Sequence, residues 1–269
     1  MVDTALERVL KKDRAITALG LAAITALAWI YTIHVSMGDM ASGSSPMAMP
    51  DMPDMAMPQN NSWSGVDFLL MFVMWLVMMV AMMLPSAAPM ILLFASTNRQ
   101  RKPARDPYLT TFLFVSAYVV VWAAFSLIAT SANWALHRNG LMTSMMGRAL
   151  PLWAGGFLIG AGIYQFTPLK FACLNKCRSP LAFLMSEWRE GRLGAVVMGL
   201  RHGAYCLLCC WALMALLFVL GVMNLAWITV LAAFVFIEKL ASSGPWLSRA
   251  SGLLLIGWGA WLAGSAYPY

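Results

Sequence analysis

Val66-Asp-Phe-Leu-Leu-Met71-Phe-Val-Met74-Trp-Leu-Val-Met78-Met79-Val-Ala-Met82-Met83-Leu84 decides the fold class of this chain. No residue from Phe68 to Asn98 is charged, and an uninterrupted apolar run longer than about 18 residues reads as a membrane-spanning helix. Comparable runs extend outward on both sides, giving candidate spans over 15–34, 66–95, 108–133, 149–168, 194–220, 224–241 and 250–266. Composition agrees. The 269 residues are 61% hydrophobic and 11% charged, with a mean hydropathy of +0.73, whereas soluble domains carry about 25% charged residues. The expected fold is all-α: a polytopic helical membrane protein of about seven transmembrane helices, with the lipid bilayer as its first partner.

Charge orients the spans. Lys and Arg concentrate in the N-terminus, in 98–107, in 169–192 and in 239–249, which are alternate connections and belong on the cytoplasmic side. The opposite loops hold Arg138 and Arg148. This asymmetry predicts a cytoplasmic N-terminus and an outward C-terminus. It also means that the net charge of +7 is topological information and not a nucleic-acid footprint. The basic start (Arg8, Lys11, Lys12, Arg14) and the run behind it read as a signal anchor over 1–34, retained as the first span. Residues 35–64 form a Met-rich outer loop, flexible by composition, and 65–269 form the helical bundle. A bacterial inner membrane with the Met-rich loop in the periplasm fits this layout.

Chemistry-bearing residues fall in three groups. All five cysteines lie in two clusters, Cys173/Cys177 and Cys206/Cys209/Cys210. On a helical wheel His202, Cys206 and Cys209 project within about 60° of one another, with Met198 beside them. Thiolate, imidazole and thioether on one face form a soft ligand set suited to Cu(I), with zinc as the alternative. A packing role also fits, since cysteine behaves as a small apolar residue. Cys173 and Cys177 share the i, i+4 spacing beyond Thr167-Pro168. To share a metal with the second cluster their segment must dip back toward the membrane. The second group is methionine: Met37, Met40, Met47, Met49, Met52, Met55 and Met57 in the outer loop, and a stripe on the second span that includes Met78 and Met82. Thioethers bind Cu(I) without deprotonation in an oxidising compartment, where thiols would tend to form disulfides. Methionine is equally a filler of helix packing. The third group is ionic. Arg201 falls inside a predicted span, where a charge is costly and faces a partner, and Glu238 lies at a similar depth. An Arg201–Glu238 pair is expected, with Lys239 either pairing locally or snorkelling. Pro85 and Pro89 remove backbone donors and predict that the second helix bends or breaks.

The ordered words Met78-Met-Val-Ala-Met-Met83-Leu-Pro85, Tyr164-Gln-Phe-Thr-Pro-Leu-Lys170, Cys173-Leu-Asn-Lys-Cys-Arg-Ser-Pro180, Gly199-Leu-Arg-His-Gly-Ala-Tyr-Cys206, Cys209-Cys-Trp-Ala-Leu-Met214, Gly221-Val-Met-Asn-Leu225 and Glu238-Lys239 resemble a bacterial membrane family catalogued as domain of unknown function 2182. Its members are described as predicted metal-binding integral membrane proteins. The resemblance covers roughly 66–245 and implies a helical membrane fold with a metal site. Family members often carry glycine where this chain has Leu207-Leu208, which narrows the approach of a neighbouring helix.

Three functions fit these residues. The first is binding, transfer or loading of a transition metal, most naturally Cu(I), for a membrane cuproenzyme. The second is an intramembrane thiol–disulfide oxidoreductase working through Cys206 and Cys209. The third is an accessory structural subunit of a larger membrane complex. The chain has neither a phosphate-binding Gly-Lys-Ser/Thr loop nor an Asp-Lys-Thr-Gly phosphorylation signature, which argues against active pumping.

Overall fold

The computed structural model describes residues 5–42, 64–101, 107–139, 151–240 and 245–265, and among them every regular element is helical. In chain order the helices are α1 (Ala5–Ser42), α2 (Gly65–Arg101), α3 (Pro107–Arg138), α4 (Pro151–Tyr164), α5 (Pro168–Arg178), α6 (Pro180–Glu187), α7 (Gly191–Ala215), α8 (Leu217–Leu220), α9 (Leu225–Leu240) and α10 (Trp246–Ser265). Four segments are long and apolar enough to cross a membrane: Arg14–Met37, Gly65–Gln100, Tyr108–Arg138 and Gly191–Leu220. A fifth is the pair Trp153–Tyr164 and Pro168–Arg178, which meet at a bend of 65°. α9 and α10, at the expected sixth and seventh spans, have 16 and 20 residues.

α1 shows why the exterior is apolar. Leu21, Ala28, Thr32 and Ser36 are buried along one stripe, while Leu19, Leu27 and Ile30 on the other faces are exposed. Exposed Phe112, Val120 and Ile128 on α3 and Leu253, Leu254 and Trp261 on α10 continue the same coat. Soluble monomers rarely expose contiguous apolar surface beyond a few hundred Å², so this coat suits hydrocarbon.

α2 runs unbroken through Pro85 and Pro89, so of the expected bend or break the break does not occur. A proline at position i leaves the carbonyl at i−4 without its helical donor. For Pro85 that carbonyl belongs to Ala81, and the Trp29 indole N–H of α1 donates to it at 3.1 Å. Nearby, Ser86 Oγ and Tyr118 Oη donate to the Met83 carbonyl at 2.8 and 3.3 Å. Neighbouring side chains thus supply donors around the proline, the general solution for a proline in an apolar medium.

Two helix crossings depend on missing side chains. On α7, a Cβ at Gly199 would strike the Phe114 carbonyl of α3, and one at Gly203 would lie 2.9 Å from Val121 Cγ2. On α4, Gly155 and Gly162 press against the backbone carbonyls of Gly259 and Gly252 of α10, whereas Gly156 and Gly160 face open space. This is the small-residue packing that lets backbones approach where no hydrophobic force separates helix from lipid. Gly199→Val is therefore expected to lower the thermal unfolding midpoint, corresponding to about 1–3 kcal/mol of overpacking. Gly156→Ala should leave it unchanged in the same melt.

The α4–α5 bend places the first cysteine cluster. Tyr164-Gln-Phe-Thr167 leaves the helix, the Thr167 hydroxyl caps α5 by accepting from the Lys170 amide, and Pro168 sits in the first turn, where its missing donor costs nothing. α5 then folds back to pack against α7. The dip that the sequence required of Cys173 is present.

Candidate metal centre

α7 carries Met198, His202, Cys206, Cys209 and Cys210 on its inward side, and all five side chains are buried. The structure divides them. Cys206 Sγ lies 3.1 Å from Tyr118 Oη of α3 and 2.9 Å from Lys239 Nζ of α9. Cys210 Sγ donates to the Cys206 carbonyl at 3.0 Å and stands 3.9 Å from Met83 Sδ of α2. Cys209 Sγ donates to the same carbonyl at 3.1 Å and is neighboured by Cys177 of α5. Cys173 is buried on the same face of α5 as Lys170 and Leu174. All five cysteines are free thiols. The two cysteine clusters therefore meet, and five helices (α2, α3, α5, α7 and α9) converge on them.

His202 and Met198 occupy a neighbouring compartment. The imidazole stacks on Phe114 and Tyr118, with centroids at 6.2 and 5.7 Å, and meets Phe183 edge-on at 5.6 Å. Its Nδ1 is buried without a hydrogen-bond partner. Met198 Sδ accepts from the Arg189 amide at 3.3 Å. As placed, no group of three or more His, Cys, Asp or Glu side chains among the described residues is arranged to hold a metal ion. The observed feature is a sulfur cluster around an ammonium, with an aromatic-boxed histidine beside it.

The expected Arg201–Glu238 pair is not formed. Arg201 is 43% exposed and pairs with Glu187 at the end of α6, so the cost of burying it does not arise. Glu238 pairs instead with Lys170 of α5 at 2.8 Å, both side chains having no exposure, and accepts from Ser248 Oγ of α10 at 2.5 Å. Gln165 also accepts from Lys170. Consecutive residues on a helix point about 100° apart. Glu238 accordingly enters the α5/α10 contact while Lys239 enters the sulfur cluster, donating also to Ser86 Oγ at 3.0 Å and standing 4.0 Å from Met83 Sδ. Lys170, Lys239, Tyr118 and Met83 were not among the expected site residues. Two adjacent charges inside an apolar run were the available signal for Lys239, since a snorkelling lysine does not require an acidic neighbour.

The methionines divide as well. Met71, Met74, Met78, Met79, Met82 and Met83 are all buried. Met71 and Met83 are about 18 Å apart along the helix axis, and Asn133 Nδ2 lies 4.0 Å from Met71 Sδ at the far end. Met37 is exposed. The side chain of Met40 and all of Met47, Met49, Met52, Met55 and Met57 lie outside the described residues.

A family described as PpoB2, copper chaperone, matches residues 72–262. That range contains the buried α2 methionines from Met74 onward, every cysteine, His202 and the Glu238-Lys239 pair. No curated protein and no solved structure matches the chain.

Proposed function

We propose, for a chain that belongs to the PpoB2 copper chaperone family, that it is an integral membrane protein of seven spans that holds Cu(I) on buried sulfur and passes it to a copper-dependent membrane enzyme. Its N-terminus is cytoplasmic and its Met-rich loop periplasmic, in a bacterial inner membrane. One observation carries the reading: the Cys206 thiol and the Met83 thioether both stand against one buried ammonium, and the Cys210 thiol lies 3.9 Å from the same thioether, a donor set whose softness suits Cu(I) above harder ions. The thiols are close but not closed around a point, so loading draws them together, as metal sites form with their ligand bonds.

The methionine side of α2 is the route. Buried thioethers recur along α2 from Met71 to Met83, and each binds Cu(I) weakly enough to release it to the next. The Met-rich loop would collect the ion at the outer end. Cys209 and Cys177, already in contact, and Cys173 are the next sulfurs inward. Zinc is the competing cargo, but a thioether ligand counts against it.

The test is metal content and ligand identity. Full-length protein purified anaerobically under reduction is expected to retain stoichiometric copper, and its X-ray absorption edge should report Cu(I) with sulfur neighbours only. Zinc in place of copper, or no metal after loading, overturns the reading. The Cys177–Cys209 contact is also what a dithiol relay requires. A Cys177–Cys209 disulfide trapped directly from cells would therefore move the assignment to thiol–disulfide exchange.

A further inference from the structure

We propose that Lys239 sets the charge of the sulfur site and thereby selects a monovalent ion over a divalent one. This inference rests on the copper reading above and assigns a specificity-determining role to a residue that is not itself a ligand.

Lys239 is buried and its Nζ reaches Cys206 Sγ at 2.9 Å, Ser86 Oγ at 3.0 Å and Met83 Sδ at 4.0 Å. The carboxylate next to it in sequence does not neutralise it. Glu238 is taken by Lys170 and Ser248 on another side of α9, and among the described residues no carboxylate forms an ion pair with Lys239. An unpaired ammonium at this depth is costly and marks function. Among the described residues, the group it touches that can carry a negative charge is the Cys206 thiol.

The charge count then discriminates between metals. As Cu(I) binds, Cys206 and Cys210 each form a Cu–S bond and release a proton to solvent, with no change in oxidation state. The resulting bis-thiolate unit carries one negative charge, and the Lys239 ammonium brings the site to zero. Zn(II) on the same two thiolates is already neutral, so the ammonium leaves an uncompensated positive charge in a low-dielectric interior, which is strongly disfavoured. Met83 adds to the bias because a thioether serves Cu(I) far better than Zn(II). One surplus charge about 4 Å away, at an effective dielectric constant of about 20, corresponds to a selectivity on the order of 1,000-fold.

The experiment is a competition on full-length protein in detergent, anaerobic, with Cu(I) and Zn(II) each buffered by a chromophoric chelator. Lys239→Met and Lys239→Gln are expected to reduce the Cu(I)-over-Zn(II) preference on the order of 1,000-fold, while Lys239→Arg, which keeps the charge, preserves most of it. Ser86→Asp supplies an arm with Lys239 intact. A carboxylate against the ammonium cancels its charge and shifts preference toward Zn(II) by a similar factor. A wild-type protein that prefers Cu(I), with the ratio unmoved in Ser86→Asp and in whichever neutral variant folds, overturns the inference and leaves the copper reading standing. The same fall in Lys239→Arg as in the neutral variants assigns the effect to packing and also overturns it. A wild-type protein that prefers Zn(II) or binds neither metal overturns both.

Discussion

Replacing Cys206 and Cys210 together by serine is expected to abolish copper retention while leaving the helical bundle assembled. Removing a residue that merely orients a metal ligand costs about 10- to 100-fold in affinity, so losing two ligands should exceed about 100-fold and empty the site under competition. The fold should survive. Both side chains make short hydrogen bonds to the Cys206 carbonyl or its surroundings, and a serine hydroxyl can accept or donate in the same places. The readouts are copper per chain after chelator challenge and the thermal unfolding midpoint of metal-free protein. Full copper retention in the double variant would remove this pair from the site and leave the Cys173/Cys177/Cys209 group as its sole thiol ligands. His202→Gln provides the contrast. Its ring packs among Phe114, Tyr118 and Phe183, so its loss should lower stability more than copper affinity.

The second large effect concerns the Lys170–Glu238 pair. Either Lys170→Met or Glu238→Gln leaves one full charge buried without its counter-ion, a loss of about 3–5 kcal/mol. The double variant Lys170→Met/Glu238→Leu should recover most of that loss, because a buried pair of this kind contributes little net stability against well-packed apolar replacements. Denaturant titration in mixed micelles would resolve the three variants. Equal losses in the single and double variants would show that Ser248 and Gln165, not the ion pair, dominate. Arg201→Ala, by contrast, removes a half-exposed pair with Glu187 and should change stability by less than about 1 kcal/mol.

Helices α1 to α3 and α7 were legible in the sequence because long uncharged runs admit one interpretation. The convergence of the two cysteine clusters was legible only as a requirement, that Cys173 dip back. What satisfies it is the Thr167-Pro168 cap, which ends one helix and starts another at 65°. Pairing of charges was not legible. Depth along a span can be counted from sequence, and Arg201 and Glu238 match in depth. Which way each side chain points depends on helix rotation, and that is set by packing contacts distributed over the whole bundle. The same limit applied to His202. A helical wheel places it beside Cys206, but Phe114 and Tyr118 of α3 and Phe183 of α6 claim its ring. The continuity of α2 through its prolines was equally hidden, because the rescuing donor, Trp29, lies 52 positions away.

Glu238 and Lys239 give α9 a mechanical constraint. Turning the helix about 100° one way would drive a carboxylate into the thiols, and turning it the other way would set an ammonium against Lys170. Both encounters are repulsive, so α9 is keyed in its rotation as a shaft is keyed in its hub. Whatever travel accompanies loading or handover must then be taken up by the partners that bear on it. Of these, α2 offers unbranched methionine side chains able to change rotamer without disturbing their backbone. Release on such a device is a sequence of side-chain swings past a fixed axle, and it requires no helix to let go of its neighbours.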